Sequence, residues 1–167
     1  MTNILRFAGL ALISFLLLTG CGNEPQRLPY LGNVEIKGAD TLYHTVPDIT
    51  LTDQDSQTYR ISTLNNKIIL ADFFFTSCPS ICPKVKKQML RLYDRYKDDA
   101  RVVMISHTID QRHDSVAVLN RYAHNMGVAT DKWKFVTGET GSIFFLADRY
   151  FVSVIEDPLA PAGFDHS

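Results

Sequence analysis

The chain has 167 residues, of which 46% are hydrophobic and 21% charged, and its formal net charge is −1. This composition is typical of a globular protein of about one domain and argues against a disordered or fibrous chain. A nearly neutral chain without a basic run also argues against nucleic-acid binding, which depends on neutralising phosphates. Three cysteines are too few for a disulfide-stapled scaffold.

Residues 1–20 have the pattern of an export signal. Arg6 precedes an apolar run, 7–18, that is too short to cross a bilayer but suits the hydrophobic region of a signal peptide. The following Leu18-Thr19-Gly20-Cys21 resembles the bacterial lipobox, in which the cysteine is lipidated and becomes the new N-terminus. We therefore predict a lipoprotein signal peptide at 1–20 and lipidation of Cys21. A plain secretory signal or an uncleaved anchor is the alternative.

Residues 21–44 are predicted to be a lipid-anchored tether, because they are polar and interrupted by proline and glycine. One short strand is expected within them, at Val34–Ile36. The folded domain is predicted at 45–167. This organisation places the protein in the cell envelope, anchored to a bacterial membrane and facing the periplasm. In that oxidising compartment Cys78 and Cys82 remain as a pair.

The pattern of the folded domain predicts an α/β fold. A hairpin is expected around the turn-rich residues 53–56, and the apolar run 68–75 indicates a strand buried on both faces, as in a parallel sheet. Helices and strands then alternate, which implies crossover connections and a parallel or mixed sheet. The further predicted elements are a helix carrying Val85, Met89, Leu92 and Tyr96, a strand at 101–107, a helix at 114–126, a strand at 133–136, a helix capped by Thr140 and carrying Ile143, Phe144, Ala147 and Tyr150, and a loop at 157–163.

The two cysteines of the folded domain lie between its first long strand and its first helix. Ligands of open α/β sheets gather beyond the carboxyl ends of the strands. With three residues between them, the Cα atoms of Cys78 and Cys82 are expected about 6 Å apart, close enough for a disulfide or for one shared metal. Pro83 suits a first helical position and disfavours the α conformation for Cys82, so the pair should straddle the loop-to-helix junction.

Accessible, ionisable thiols are expected at this junction. Free N–H groups at the start of the helix favour anions and lower thiol pKa values, and Lys84 and Lys86 should add to that effect. Thiolates select Cu(I), zinc or iron–sulfur clusters; two are too few for structural zinc, whereas Cu(I) accepts two or three ligands. The alternative is a pair of buried cysteines that pack as small apolar residues.

A histidine or a methionine is the expected third ligand, and among the histidines the residues alone leave two candidates open. His44, His113 and His124 are predicted to lie in the tether or on the surface. His107 ends a strand at the same sheet edge as the cysteine loop, and His166 follows a proline-rich loop.

The sequence 72–83 resembles the Sco/SenC family of thioredoxin-like copper proteins, whose signature is an F-x-F-T-x-C-P-x-x-C-P type run. Three more segments are similar to family motifs in the same order, with Gln111 in place of the usual proline. They are Ile109–Ser115 (V-D-P-x-x-D-T), Trp133–Gly138 (W-x-F-L-T-G) and Phe164–Ser167 (V-D-H-S/T). The resemblance covers roughly residues 45–167.

The resemblance implies a thioredoxin-like mixed sheet with flanking helices and a single copper ion. Carried over to this sequence, the copper ligands are Cys78, Cys82 and His166, which demotes His107. The implied function is a metallochaperone for the dinuclear copper centre of cytochrome c oxidase, as copper donor or as thiol reductant. The implied partner is the copper-binding subunit of the oxidase or another cuproprotein.

The sequence stops one residue after His166, where the thioredoxin fold normally continues with a β-hairpin and a helix. We therefore expect a domain truncated at its C-terminus, with low stability and weak copper binding.

A thiol–disulfide oxidoreductase is the main alternative function. In that case Cys78 attacks a partner disulfide and Cys82 resolves the mixed disulfide. The C-x-x-x-C spacing argues mildly against it, since typical thioredoxins have C-x-x-C, and whether the protein is an enzyme stays open. A peroxidase of the peroxiredoxin type is a less favoured alternative, because only Thr76 resembles that active site and the spacing of the two cysteines does not fit it. A purely structural lipoprotein is a further alternative.

Overall fold

The computed structural model describes residues 28–157 and 163–165. The predicted signal peptide, Cys21 and His166 lie outside the described residues. The chain forms two compact units, which divide between His44 and Thr45. Within the described ranges, no helix has both the length and the apolar character needed to cross a membrane.

The described part of the first unit contains a small antiparallel hairpin. Strands β1 (Glu35–Lys37) and β2 (Asp40–Leu42) pair around Gly38, whose φ of +65° suits glycine at a tight turn. Outside the strands, the rings of Tyr30 and Tyr43 stack with centroids 4.0 Å apart. One strand was predicted here; the second has no apolar alternation that would reveal it.

A five-stranded mixed sheet forms the centre of the second unit, and the predicted mixed α/β class is confirmed. Its strand order is β4-β3-β7-β6-β5. Strands β5, β6 and β7 run parallel, while β3 is antiparallel to both β4 and β7. The bounds are Thr50–Asp53 for β3, Thr58–Arg60 for β4, Ile68–Phe74 for β5, Val102–Thr108 for β6 and Trp133–Thr137 for β7.

Three helices accompany the sheet, α1 (Cys82–Tyr96), α2 (Val116–Met126) and α3 (Thr140–Arg149), and a 3-10 turn follows β4 at Ile61–Thr63. The helices bury the apolar side chains that recur at helical spacing, such as Met89 of α1 and Leu119 of α2. Helix α2 begins two residues later than predicted.

The predicted cap of α3 is wrong by one residue. Thr140 is the first helical residue, and the preceding Glu139 caps the helix: its carboxylate accepts hydrogen bonds from the backbone N–H groups of Gly141 and Ser142 at 3.0 and 2.7 Å. A longer acidic side chain thus does here what a threonine hydroxyl usually does.

The prediction that 68–75 forms the strand buried on both faces is also wrong. Strand β5 lies at one edge of the described sheet and is half-buried along most of its length, whereas β6, which has a neighbour on each side, is almost wholly buried. An apolar run is typical of both central and edge strands, because other elements can pack on the two faces of an edge strand.

Two strands of two residues each follow the last helix. β8 (Ile155–Glu156) pairs antiparallel with β9 (Phe164–Asp165). Most of the predicted loop at 157–163 lies outside the described residues. The Phe164 side chain is buried, and its ring centroid lies 5.3 Å from that of Phe75. An exposed ion pair at 3.2 Å joins Glu156 of β8 to Arg112 in the loop before α2. The contact between Phe164 and Phe75 places β9 beside the segment that leads to the cysteines.

Candidate metal centre

Cys78 and Cys82 lie at the loop-to-helix junction, as predicted. Cys78 is in the loop after β5, where its N–H donates to the carbonyl oxygen of Phe75 at 3.3 Å. Cys82 is the first residue of α1, and its backbone N–H donates to the Cys78 sulfur at an N to Sγ distance of 3.4 Å. The expected effect of Pro83 on Cys82 is therefore wrong: the proline occupies the second helical position and Cys82 is helical. Neither cysteine forms a disulfide, and the two lie within one turn of chain.

The expectation that the thiols are accessible is not met. Each cysteine is only 7% exposed. Burial, followed by the neighbouring Cys78 thiol and the Asp72 carboxylate, raises the pKa of Cys82 to about 12. Lys84 points to solvent, and Lys86 lies over the ring of Tyr122 at 5.2 Å, so neither lysine offsets the burial.

A buried carboxylate fixes the cysteine loop to the end of the neighbouring strand. Asp114 is fully buried and accepts hydrogen bonds from the backbone N–H of Thr76 at 3.0 Å and from the Thr76 hydroxyl. It also accepts one from the Thr108 hydroxyl at 2.5 Å. The sequence pattern indicates only a loop or helix-cap role for Asp114, and nothing in it marks this carboxylate as a buried anchor. Asp114 therefore holds the residues before Cys78 in place.

A second aspartate, the half-buried Asp72, lies close to Cys82. Asp72 of β5 and Cys82 line the same small cavity, together with Ser106 of β6. The Ser106 hydroxyl donates to Asp72 and accepts a hydrogen bond from the Trp133 ring nitrogen at 2.8 Å. Burial raises the pKa of Asp72 to about 6, although the Ser106 hydrogen bond acts in the opposite direction. In the sequence, Asp72 is distinctive because it is the only acidic residue within the apolar run 68–75.

His107 is part of the core of the second unit. Its ring is fully buried, stacks on Phe73 with centroids 4.8 Å apart, and places Nδ1 3.3 Å from the backbone oxygen of Asp72. Burial lowers the pKa of His107 to about 4. On β6 it follows Ser106, which faces the cavity below Cys82, and successive side chains of a strand point to opposite faces. His107 and the cysteines therefore belong to opposite faces of the sheet.

Opposite pH dependences are expected from Asp72 and His107. The folded state holds a proton on Asp72 between its unfolded pKa of 3.8 and its folded pKa of about 6, so this residue's stabilising contribution is lost as the pH rises through that range. His107 takes up a proton below 6.5 only when unfolded, so stability is lost as the pH falls from 6.5 to about 4. Each contribution amounts to about 3 kcal/mol.

Urea unfolding of Asp72→Asn and His107→Phe tests this pair. Between about pH 4 and 6, the unfolding free energy of Asp72→Asn should rise by about 3 kcal/mol relative to that of the unsubstituted protein. Over the range from about pH 4 to 6.5, that of His107→Phe should fall by a similar amount relative to the unsubstituted protein. Differences that do not change with pH would contradict the assignment of these two groups.

The other predicted surface histidines fit the structure. His113 is exposed, with Nδ1 2.8 Å from a carboxylate oxygen of the buried Asp110, and His124 is exposed on α2. Within the described ranges, no group of three histidine, cysteine or acidic side chains could hold a metal ion. The predicted third ligand, His166, lies outside those ranges; the last described side chain before it is that of Phe164, which packs on Phe75.

Comparison with known families tests the resemblance seen in the sequence. The model of the SCO1/SenC family matches residues 38–167. The chain belongs to the SCO1/SenC family. Among SCO1/SenC relatives, the SCO1 protein homolog of Bacillus subtilis (strain 168) is 31% identical over 146 residues, which cover 86% of this chain and 69% of that protein.

Solved SCO1/SenC structures confirm the thioredoxin-like fold. The structure of BsSco, a member of the Sco family of cytochrome c oxidase assembly proteins in which a disulfide switch was identified, matches with a TM-score of 0.61 and 30% identity. That match covers 69% of this chain and 68% of BsSco. The structure of Arabidopsis thaliana ScoI with copper bound matches in fold, with a TM-score of 0.60 and 24% identity over 72% of this chain and 76% of ScoI.

Proposed function

We propose that this protein is a copper metallochaperone, which binds one copper ion through Cys78, Cys82 and His166. The observation that carries the proposal is the proximity of two thiols that form no disulfide at the start of α1, with the Cys82 backbone nitrogen 3.4 Å from the Cys78 sulfur. Membership of a family in which relatives hold copper supports the choice of metal.

The donor set fits Cu(I) better than other metals. Two thiolates and one imidazole are soft or intermediate ligands, and three ligands satisfy Cu(I) but not structural zinc. The buried Phe164 ring, two residues before His166 and 5.3 Å from Phe75, supports the histidine as the third ligand. Asp114 would keep the loop in register for the metal.

Copper competes with protons at this site. Both thiols must lose a proton to bind the metal, and the raised pKa of Cys82 makes that loss costly. Copper affinity should therefore fall as the pH falls. Because both cysteines are buried, solvent has little access to the thiols.

The proposed recipient is the dinuclear copper centre of cytochrome c oxidase, reached from a membrane anchor. The relation to BsSco, from a family of cytochrome c oxidase assembly proteins, supports this partner. The sequence Leu18-Thr19-Gly20-Cys21 supports a lipid anchor in the bacterial cell envelope, and residues 21–44 would connect it to the copper-binding domain.

A thiol–disulfide oxidoreductase is the second candidate function, because the two thiols are adjacent and the fold is thioredoxin-like. The Cys78 thiolate would attack a partner disulfide and release one partner thiol. The Cys82 thiolate would then attack the mixed disulfide, which frees the second partner thiol and leaves the protein oxidised by two electrons.

The variant His166→Ala separates the two functions. If His166 is a copper ligand, the affinity of the reduced protein for Cu(I) should fall at least about tenfold against a competing chelator, since losing even an outer partner of a metal site costs 10–100-fold. Exchange with a small disulfide should be unchanged, because it needs only the two thiols.

The matched control is His124→Ala, which removes an exposed histidine of α2. It should alter neither measurement. Unchanged Cu(I) affinity in His166→Ala would remove this residue from the site, and failure of the unsubstituted reduced protein to hold Cu(I) would refute the metallochaperone function.

A further inference from the structure

The helix that begins at Cys82 carries a concentrated positive charge. Although the whole chain has a net charge of −1, α1 contains five basic side chains and a single acidic one, Asp94. Apart from the adjacent Lys86 and Lys87, the basic residues are separated by other side chains, which is why the sequence shows no long basic run. They are Lys84, Lys86, Lys87, Arg91 and Arg95.

This charge is not neutralised by neighbouring carboxylates. Among the residues that the structure describes, none of the five forms an ion pair, whereas Arg60, Arg101 and Lys134 elsewhere in the second unit each contact an aspartate. Lys86 lies over an aromatic ring instead, and Arg91 donates to Gln88 at 2.9 Å. The positive potential of α1 therefore extends into solvent.

The charged face adjoins the loop that joins the two cysteines. Lys84 and Lys87 are exposed and follow Ile81, the last residue of that loop, by three and six positions, so they lie on the same side of the helix start as Ile81. The Lys84 N–H donates to the Ile81 carbonyl oxygen at 2.9 Å. The exposed residues between the two cysteines are Pro79, Ser80 and Ile81, and the Ile81 side chain is 39% exposed. The exposed surface next to the cysteine loop therefore combines one apolar side chain with lysines on the same side of the helix start.

We propose that Ile81, Lys84, Lys87 and Arg91 form a docking face for a partner protein whose receiving cysteines are flanked by acidic side chains. The proposal rests on the proposed function, in that the partner exchanges copper or electrons with Cys78 and Cys82. Ile81 supplies an apolar contact at the centre, and the basic side chains select and orient the partner by charge. The complementary charges accelerate encounter at low ionic strength.

The structure favours a protein over an anionic membrane as the occupant of this face. A helix that lies in a membrane surface inserts its apolar side chains into the lipid. In α1 the apolar side chains Val85, Met89 and Leu92 pack against the core instead, and the exposed side offers mainly charged and polar groups.

Thiol exchange with charged peptides tests the docking face at the cysteines themselves. Two peptides would carry a cysteine in mixed disulfide with thionitrobenzoate, flanked by glutamates in one and by lysines in the other. A thiolate of the reduced full chain attacks the peptide sulfur, which forms a protein–peptide disulfide and releases thionitrobenzoate with the electron pair. The glutamate peptide should react about tenfold faster at low salt, and the advantage should shrink as salt is added.

Two double variants locate the effect on the helix. Lys84→Glu with Lys87→Glu should abolish the advantage of the glutamate peptide. Arg95→Glu with Lys97→Glu makes the same change in charge at exposed positions near the other end of α1 and should retain it. Equal rates for the two peptides, or equal loss in the two double variants, would overturn the proposal.

Two further measurements complete the test. In the first, the peptide cysteine is replaced by serine and fluorescence anisotropy of the labelled peptide measures its binding to the protein, which does not depend on how fast the buried thiols react. The glutamate peptide should again bind more tightly than the lysine peptide. Stronger binding to phosphatidylglycerol vesicles than to the glutamate peptide, weakened by Lys84→Glu with Lys87→Glu, would assign the face to the membrane and overturn the proposal. Cu(I) affinity should stay unchanged in both double variants, so failure of the docking face and failure of copper binding are distinguishable.

Discussion

Replacing either Cys78 or Cys82 by serine should lower the affinity of the reduced protein for Cu(I) by more than about 100-fold. The reason is chemical: each sulfur is a proposed ligand, and loss of an outer partner of a metal site alone costs 10–100-fold. A serine hydroxyl is a hard, neutral donor that Cu(I) does not favour. Competition with a Cu(I) chelator of known affinity measures the change.

The control for the cysteine variants is Ser80→Ala, an exposed position between the two cysteines. It should keep the full affinity. Because both cysteines are buried, unfolding must be measured in parallel, and a folded Cys78→Ser protein with unchanged affinity would contradict the proposed ligand set.

Replacing Asp114 by alanine should destabilise the protein by about 3–5 kcal/mol. The substitution leaves three donors without their acceptor: the backbone N–H of Thr76 and the hydroxyls of Thr76 and Thr108. Asp114→Asn should cost less, because its side-chain oxygen still accepts one or more of these bonds. Urea unfolding measures both.

Asp148→Ala provides the matched control for Asp114, since Asp148 is an exposed carboxylate on α3. It should change the stability by less than about 0.5 kcal/mol. The folded Asp114→Asn variant should also bind Cu(I) more weakly, because the loop before Cys78 loses part of its anchor. If Asp114→Ala were as stable as Asp148→Ala, the buried carboxylate would have no role in fixing the loop.

The order of strands and helices in the second unit could be predicted because the apolar residues repeat at clear strand and helix spacings. The helix built on Val85, Met89 and Leu92 is an example, since its apolar stripe packs against the core. The position of a strand within the sheet could not be predicted in this way. β5 and β6 have similarly apolar sequences, and only their pairing with neighbours decides which one lies at the edge.

The short elements escaped prediction for a different reason. β2, β8 and β9 contain two or three residues each, too few for any periodicity to develop. The predicted cap of α3 was one residue too late, because Glu139, like Thr140, carries an oxygen that can accept hydrogen bonds from the first N–H groups of the helix.

At the candidate site, the proximity of Cys78 and Cys82 followed from their spacing, but their burial did not. Exposure depends on what covers the loop, and that depends on residues distant in the sequence, such as Phe164 packed on Phe75. The same holds for the thiol pKa: the helix start favours a thiolate, but burial and the nearby Asp72 outweigh it and raise the pKa of Cys82.

X-ray absorption at the copper edge tests the central claim most directly, since it counts the atoms bound to the metal. The reduced full chain with one equivalent of Cu(I) should give two sulfur neighbours and one nitrogen neighbour, and His166→Ala should lose the nitrogen alone. A spectrum without sulfur neighbours, or one that keeps both sulfurs when Cys78 and Cys82 are serine, would show that copper binds elsewhere.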